Sequence, residues 1–176
     1  MALVTTKAIV LSTIKYGETS LIVRCFTQKE GLKTYLIKGV LKAKKAKITA
    51  AYFQPLTQLN IEAIHNNKGA LNSMKEVHIV HPYQRIYTNV FKQTIVLFLS
   101  EILSKAIQEE EENSSLYHYL ETAFNWLDAH DKISNFHLLF LLNLTRYLGF
   151  YPDTSEKIKE GFDLVEGCFT WPSPKK

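Results

Sequence analysis

The chain has 176 residues, 46% of them apolar and 22% charged, which supports a packed core and excludes an intrinsically disordered or fibrous chain. That length suits one domain or two small ones. Its formal net charge of +4 hides an asymmetry: residues 1–80 hold 12 basic and 4 acidic side chains, net +8, and residues 81–176 hold 9 and 13, net −4, a division that raises a polyanion as partner.

Short β-branched and aromatic runs separated by turn residues predict five strands, over residues 6–14, 20–28, 31–38, 53–62 and 70–79. Gln28-Lys29-Glu30-Gly31 reads as a hairpin with glycine where a positive φ is needed, and His65-Asn66-Asn67-Lys68-Gly69 reads likewise. Tyr16-Gly17-Glu18 forms a turn after the first strand, and a long link from Gly39 to Ala51 follows the third. Five short strands with one long, lysine-decorated connection predict a small closed barrel of the five-stranded oligonucleotide-binding (OB) type.

After His81-Pro82 the apolar period changes from two to about 3.6. A helix is expected over 84–107, with apolar groups spread beyond one face, then a stop at Glu109 to Glu112, since carboxylates are disfavoured at a helix C-terminus. Asn113-Ser114-Ser115 offers the N-cap of a second helix to about residue 129, and Ser134 that of a third ending at Gly149. Past Tyr151-Pro152 the pattern weakens to one strand-like stretch over 162–170. The expected class is α+β: a DNA-binding OB barrel over 1–80, a helical domain over 81–150, and a degenerate or incomplete C-terminal segment over 151–176.

No local spacing supplies catalysis or a metal site. Cys25 and Cys168 form no Cys-x-x-Cys pair, and the His78/His81 pair has no third ligand nearby. Cys25 lies in an apolar strand, where a buried thiol is inert. No enzymatic activity, metal or cofactor is expected. The N-terminal strand is bracketed by Lys7 and Lys15, unlike a signal peptide, and the apolar stretch 136–150 is interrupted and shorter than the ~20 residues of a membrane span. A soluble cytoplasmic protein without a membrane partner is expected.

The richest signal is Lys38-Gly39-Val40-Leu41-Lys42-Ala43-Lys44-Lys45-Ala46-Lys47, five lysines and no acid in ten residues. Such a run neutralises phosphates and gives sequence-independent affinity for nucleic acid; it is equally a solvated loop. Lys7, Lys15, Arg24, Lys29 and Lys33 extend the patch, and Tyr16, Phe26, Tyr35, Tyr52 and Phe53 are either stacking faces or core. The third helix, with almost no polar face, is either a central core helix or the floor of a groove for a partner's apolar side chains, with Lys92 or Arg146 at its rim to take a carboxylate.

In chain order, Ala8 to Leu11, Tyr16-Gly17-Glu18-Thr19, Phe26-Thr27, Glu30-Gly31, Lys38-Gly39 with its lysines, Gln54-Pro55-Leu56-Thr57, and Tyr147-Leu148-Gly149-Phe150-Tyr151-Pro152 resemble the RecO family of bacterial recombination mediators along nearly the whole length. The resemblance implies an OB barrel, a helical domain and a non-catalytic role in DNA repair. That role is to bind single- and double-stranded DNA, anneal strands, and work with RecR to load recombinase onto strands coated by single-strand DNA-binding protein, in the cytoplasm at the nucleoid. Carried over by position, Arg24, Lys33, Lys38, Lys42, Lys44, Lys45 and Lys47 would contact DNA. The C-terminal tail of the coating protein would meet Lys92, Leu139, Leu142 and Arg146. Where many relatives carry paired zinc-binding cysteines, this chain has only Cys168 between Asp153 and Thr170. It is expected to be a short or truncated member without a zinc site. An adaptor that holds partner proteins without touching DNA is the other reading of the same residues.

Overall fold

The structure is a computed structural model describing residues 2–42, 48–66, 71–152, 161–163, 165–166 and 168–171. It divides into two compact units, Met1–Ile133 and Ser134–Lys176. In the first, strands β1 (Ala2–Tyr16), β2 (Ser20–Thr27), β3 (Gly31–Ile37), β4 (Gln58–His65) and β5 (Ser73–Ile79) precede helices α1 (Val90–Ala106) and α2 (Ser114–Ala129). The second holds α3 (Phe136–Tyr147) and the small strands β6 (Gly161–Asp163) and β7 (Cys168–Thr170), which pair with each other.

The five strands are antiparallel in the order β3-β2-β1-β4-β5. β1 holds the sheet together: its first half pairs with β4 and its second with β2, with a bulge between Val10 and Ser12. Side chains alternate across its pleat, so Ala8 and Val10 join the sheet core with Val23, Cys25, Tyr35, Leu59 and Ile61, while Ile9 and Leu11 are buried outside that cluster. Tyr117 of α2 lies 6.1 Å from Phe26 of β2, ring to ring. Both faces of these two strands are therefore covered.

The expected closed OB barrel is corrected here: the class is α+β, but the sheet is open, with β3 and β5 as its edges. The edges touch at one parallel bridge, Tyr35 to Asn72, where the Leu36 N–H donates to Asn72 O and the Asn72 N–H to Thr34 O, each at 2.9 Å. Among the described residues no further backbone bond joins them. Beyond the bridge, Gly39 at φ +71 turns the chain out of β3 while β5 stays paired with β4 across a bulge between Glu62 and Ala63. Closure is a long-range pairing that strand count alone does not specify.

The first helix begins six residues later than its apolar pattern suggests. The buried Asp128 carboxylate of α2 accepts the N–H groups of Gln84, Arg85 and Ile86 at 2.8, 2.8 and 2.9 Å, fixing the segment after β5 as a capped turn. Asn89 then caps α1. Burial pushes the Asp128 carboxyl up, but the three N–H donors and nearby Lys92 outweigh it and hold it below its ordinary value. In the second unit, α3 closes at Gly149 (φ +84), the expected stop.

Candidate nucleic-acid interface

The strands that carry the basic residues run about 20 Å between two unlike ends. At one end, the β1–β2 turn meets the start of the long link: Lys15 pairs with Leu21, Leu21 with Ile37, and the Leu41 N–H donates to Thr19 O at 3.0 Å. This register gathers Lys15, Lys38 and Lys42, all exposed and, among the described residues, without an ion pair. Glu18 is the carboxylate in the same turn. Lys44, Lys45 and Lys47 lie outside the described residues. Tyr16 is 55% exposed beside them, whereas Phe26, Tyr35 and Phe53 are buried core residues.

At the other end, the β2–β3 hairpin packs against the helices, and its cations are occupied. Lys33 Nζ lies 3.2 Å from Glu110 Oε2, and its side chain is only 17% exposed. Arg24 donates to Ser104 O at 3.2 Å and to Gln108 Oε1 at 3.3 Å, at the C-terminal end of α1. Lys7 pairs with Glu121 at 2.8 Å, and Lys29 donates to Thr5 O. The glutamate run does end the helix as its charge predicts. Its backbone also docks on the hairpin: Leu32 N–H donates to Glu109 O at 2.9 Å, and a Cβ on Gly31 would lie 2.6 Å from that oxygen. Of the sequence-selected DNA residues, Lys38 and Lys42 fall together, while Arg24 is held by Ser104 and Gln108 at the end of α1 and Lys33 by Glu110 of the acidic loop.

Two features had no signal in the local sequence. His65, buried at the end of β4, joins Glu30 Oε2 (2.6 Å) to the Tyr35 hydroxyl (2.8 Å), a network that satisfies three polar groups inside the sheet. Where the sheet edges part, a cavity of about 520 Å³ opens among Lys38, Val40, Ile48, Leu71, Ser73 and Met74. Burial pushes the Cys25 thiol far above its ordinary value, so it is no nucleophile. Among the described residues no three His, Cys, Asp or Glu side chains could hold a metal ion, and no helix is long and apolar enough to cross a membrane.

The residues selected on the helices separate. Lys92 is fully buried in the first unit, its Nζ donating to Asp128 O at 2.8 Å, so it stands at no rim. Leu139, Leu142 and Arg146 share α3, with the two leucines 60% and 42% exposed. Arg146 donates to the Tyr151 hydroxyl at 2.8 Å. The exposed leucines weigh against α3 as a helix buried on all sides.

These features define an α+β protein whose sheet carries unpaired cations at one end and neutralised ones at the other. Comparison with known proteins places it further. Residues 1–83 match the family model described as Recombination protein O N terminal, and residues 88–174 match Recombination protein O C terminal. The DNA repair protein RecO of Flavobacterium johnsoniae is 55% identical over 165 residues, covering 94% of this chain and 70% of that protein. Its counterpart in Flavobacterium psychrophilum is 54% identical over 165 residues, covering 94% and 69%. That of Bacteroides fragilis is 39% identical over 173 residues, covering 97% and 71%. The chain belongs to the RecO family.

Proposed function

We propose that this chain is a non-catalytic recombination mediator in DNA repair, and that it binds DNA through the lysine-bearing end of its sheet. The observation that carries this reading is the gathering of Lys15, Lys38 and Lys42, unpaired and exposed, in a chain whose relatives are named DNA repair proteins. Lys44, Lys45 and Lys47 continue the same link. Cations free of protein carboxylates displace counterions from phosphates and hold single or double strands regardless of sequence. Arg24 and Lys33, held by Ser104, Gln108 and Glu110, stay outside this interface.

In this reading, residues 1–80 bind DNA, the helical region 81–150 serves partner proteins, and 151–176 form a C-terminal segment without zinc. Bound strands are annealed, and recombinase is loaded with RecR onto strands coated by single-strand DNA-binding protein, in the cytoplasm at the nucleoid. The acidic, apolar tail of the coating protein lies along Leu139 and Leu142 with its carboxylate on Arg146; Lys92, buried in the first unit on Asp128 O, is left out of this site.

Anisotropy of a labelled single strand across a salt series, followed by annealing of complementary strands, tests the proposal. Binding that weakens steeply with salt, together with accelerated annealing, is expected. Absent or salt-insensitive binding would leave the adaptor reading in its place.

A further inference from the structure

The gap between the sheet edges borders Lys38, one of the lysines that, among the described residues, form no ion pair. Its walls are Val40, Ile48, Leu71 and Met74, and Lys38 and Ser73 stand on its two sides. The parallel ladder begun at Asn72 stops after one residue, so beyond the Leu36 to Asn72 bond the edges at Lys38 and Met74 have, among the described residues, no cross-edge backbone bond. The volume falls in the range of about 300–1,000 Å³ usual for small organic ligands.

We propose that this gap is a nucleobase pocket, which takes one unpaired base of a DNA strand while the flanking phosphates lie on Lys38 and Lys42. The inference rests on the DNA-binding reading above and deepens it by naming which part of the strand enters the protein. Three features select this occupant. Lys38 lines the gap and the exposed Lys42 follows it by four residues, a charge that suits a polyanion rather than a free apolar ligand. The walls are apolar, and the Met74 thioether is a favourable neighbour for an aromatic ring. The interrupted strand edges offer backbone donors and acceptors to the edge of a planar base, which carries both.

A base stacked and paired in a duplex can enter only after being extruded, at the cost of its stacking and pairing. The pocket therefore makes the lysine-bearing end prefer single strands, a preference that lysines alone do not give. Annealing then requires each captured base to leave the pocket as its partner strand arrives.

The test compares two labelled strands of equal length on the full chain at 0.15 M salt, one of thymidines and one of abasic sites. The thymidine strand should bind at least tenfold more tightly. Met74→Trp, which fills the gap, should cut that ratio to below twofold and leave duplex affinity unchanged, while Phe91→Ala, at an exposed aromatic of α1 that does not line the gap, should preserve it. A 4-thiothymidine strand cross-linked by light to the unsubstituted protein should attach to residues 36–40 or 71–74, a readout independent of whether Met74→Trp folds. Equal binding of the two strands, or cross-links confined elsewhere, overturns the pocket and leaves DNA binding intact. Failure of both strands and of duplex to bind overturns the pocket and the DNA reading together.

Discussion

The division of cations into free and occupied groups makes a quantitative prediction. Lys15, Lys38 and Lys42 are exposed and unpaired, so replacing all three by Gln should leave stability within about 0.5 kcal/mol. On a single strand each phosphate contact adds about 0.7 to the slope of log affinity against log salt, so the triple variant should lose about 2 from that slope. Between 50 and 200 mM salt, a fourfold change, the parent should therefore weaken about 20-fold more than the variant, a difference of about 1.7 kcal/mol. Arg24→Gln with Lys33→Gln is the counterpart. Those cations already hold Ser104, Gln108 and Glu110, so the pair should change the slope by less than about 0.7. It should instead cost about 1 kcal/mol of stability through lost contacts to the α1 end. Fluorescence anisotropy gives the slopes and urea unfolding the stabilities. An unchanged slope in the triple variant, or a larger loss in the Arg24/Lys33 pair, would refute the assignment of the free lysines to DNA.

Asp128→Asn leaves one of three backbone N–H groups facing an amide NH₂ and removes the anion nearest the buried Lys92. It should cost about 2–4 kcal/mol in urea unfolding at pH 7. Because the folded carboxyl is held below its unfolded value of about 3.9, its contribution is full above that pH and fades as pH falls through the lower folded value. The variant should lack that part of the acid-side slope. Gly31→Ala forces a side chain into a left-handed φ of +63 and against the backbone of Glu109 and Glu111. Strain of about 1–2 kcal/mol plus the displaced Leu32 to Glu109 bond should lower stability by about 2–3 kcal/mol, read from the shift in urea midpoint. Arg146→Ala should weaken binding of an acidic, Phe-ending peptide at least fivefold with an unchanged melting temperature. Equal peptide affinity would move the tail site off α3.

Short-range features were legible in the sequence. The positive φ at Gly31 and the stop at Gly149 each depend on a few neighbouring residues and appear where the pattern puts them, while the helix expected after Pro82 forms six residues late. Lys92 is a near miss of the same kind. It precedes Val96, Leu99 and Leu103 by four, seven and eleven positions, so the helical period already sets it on the buried stripe rather than at a rim. Closure of the sheet was not legible, because it turns on whether two edges separated by the whole link meet at one residue, Asn72, or along a full ladder. The lysine-rich link was conspicuous, but which cations are free depends on contacts 77 and 80 residues away in sequence, Lys33 with Glu110 and Arg24 with Ser104.

That dependence changes the meaning of the charge asymmetry. A net of +8 over residues 1–80 suggests a uniformly positive sheet, yet the acidic half places Glu110 and Glu121 on Lys33 and Lys7. The acidic half thereby neutralises the hairpin end of the sheet itself. At an ionic strength where charges are screened beyond about 8–10 Å, a strand approaching that end meets paired ions and an acidic loop. A strand approaching the opposite end, about 20 Å away along β2 and β3, meets Lys15, Lys38 and Lys42, which among the described residues form no ion pair, beside Glu18 in the turn. In the proposed interface the docked loop would therefore orient DNA on the sheet by excluding one end, and the position of Glu109–Glu112 follows from how α1 terminates against Gly31.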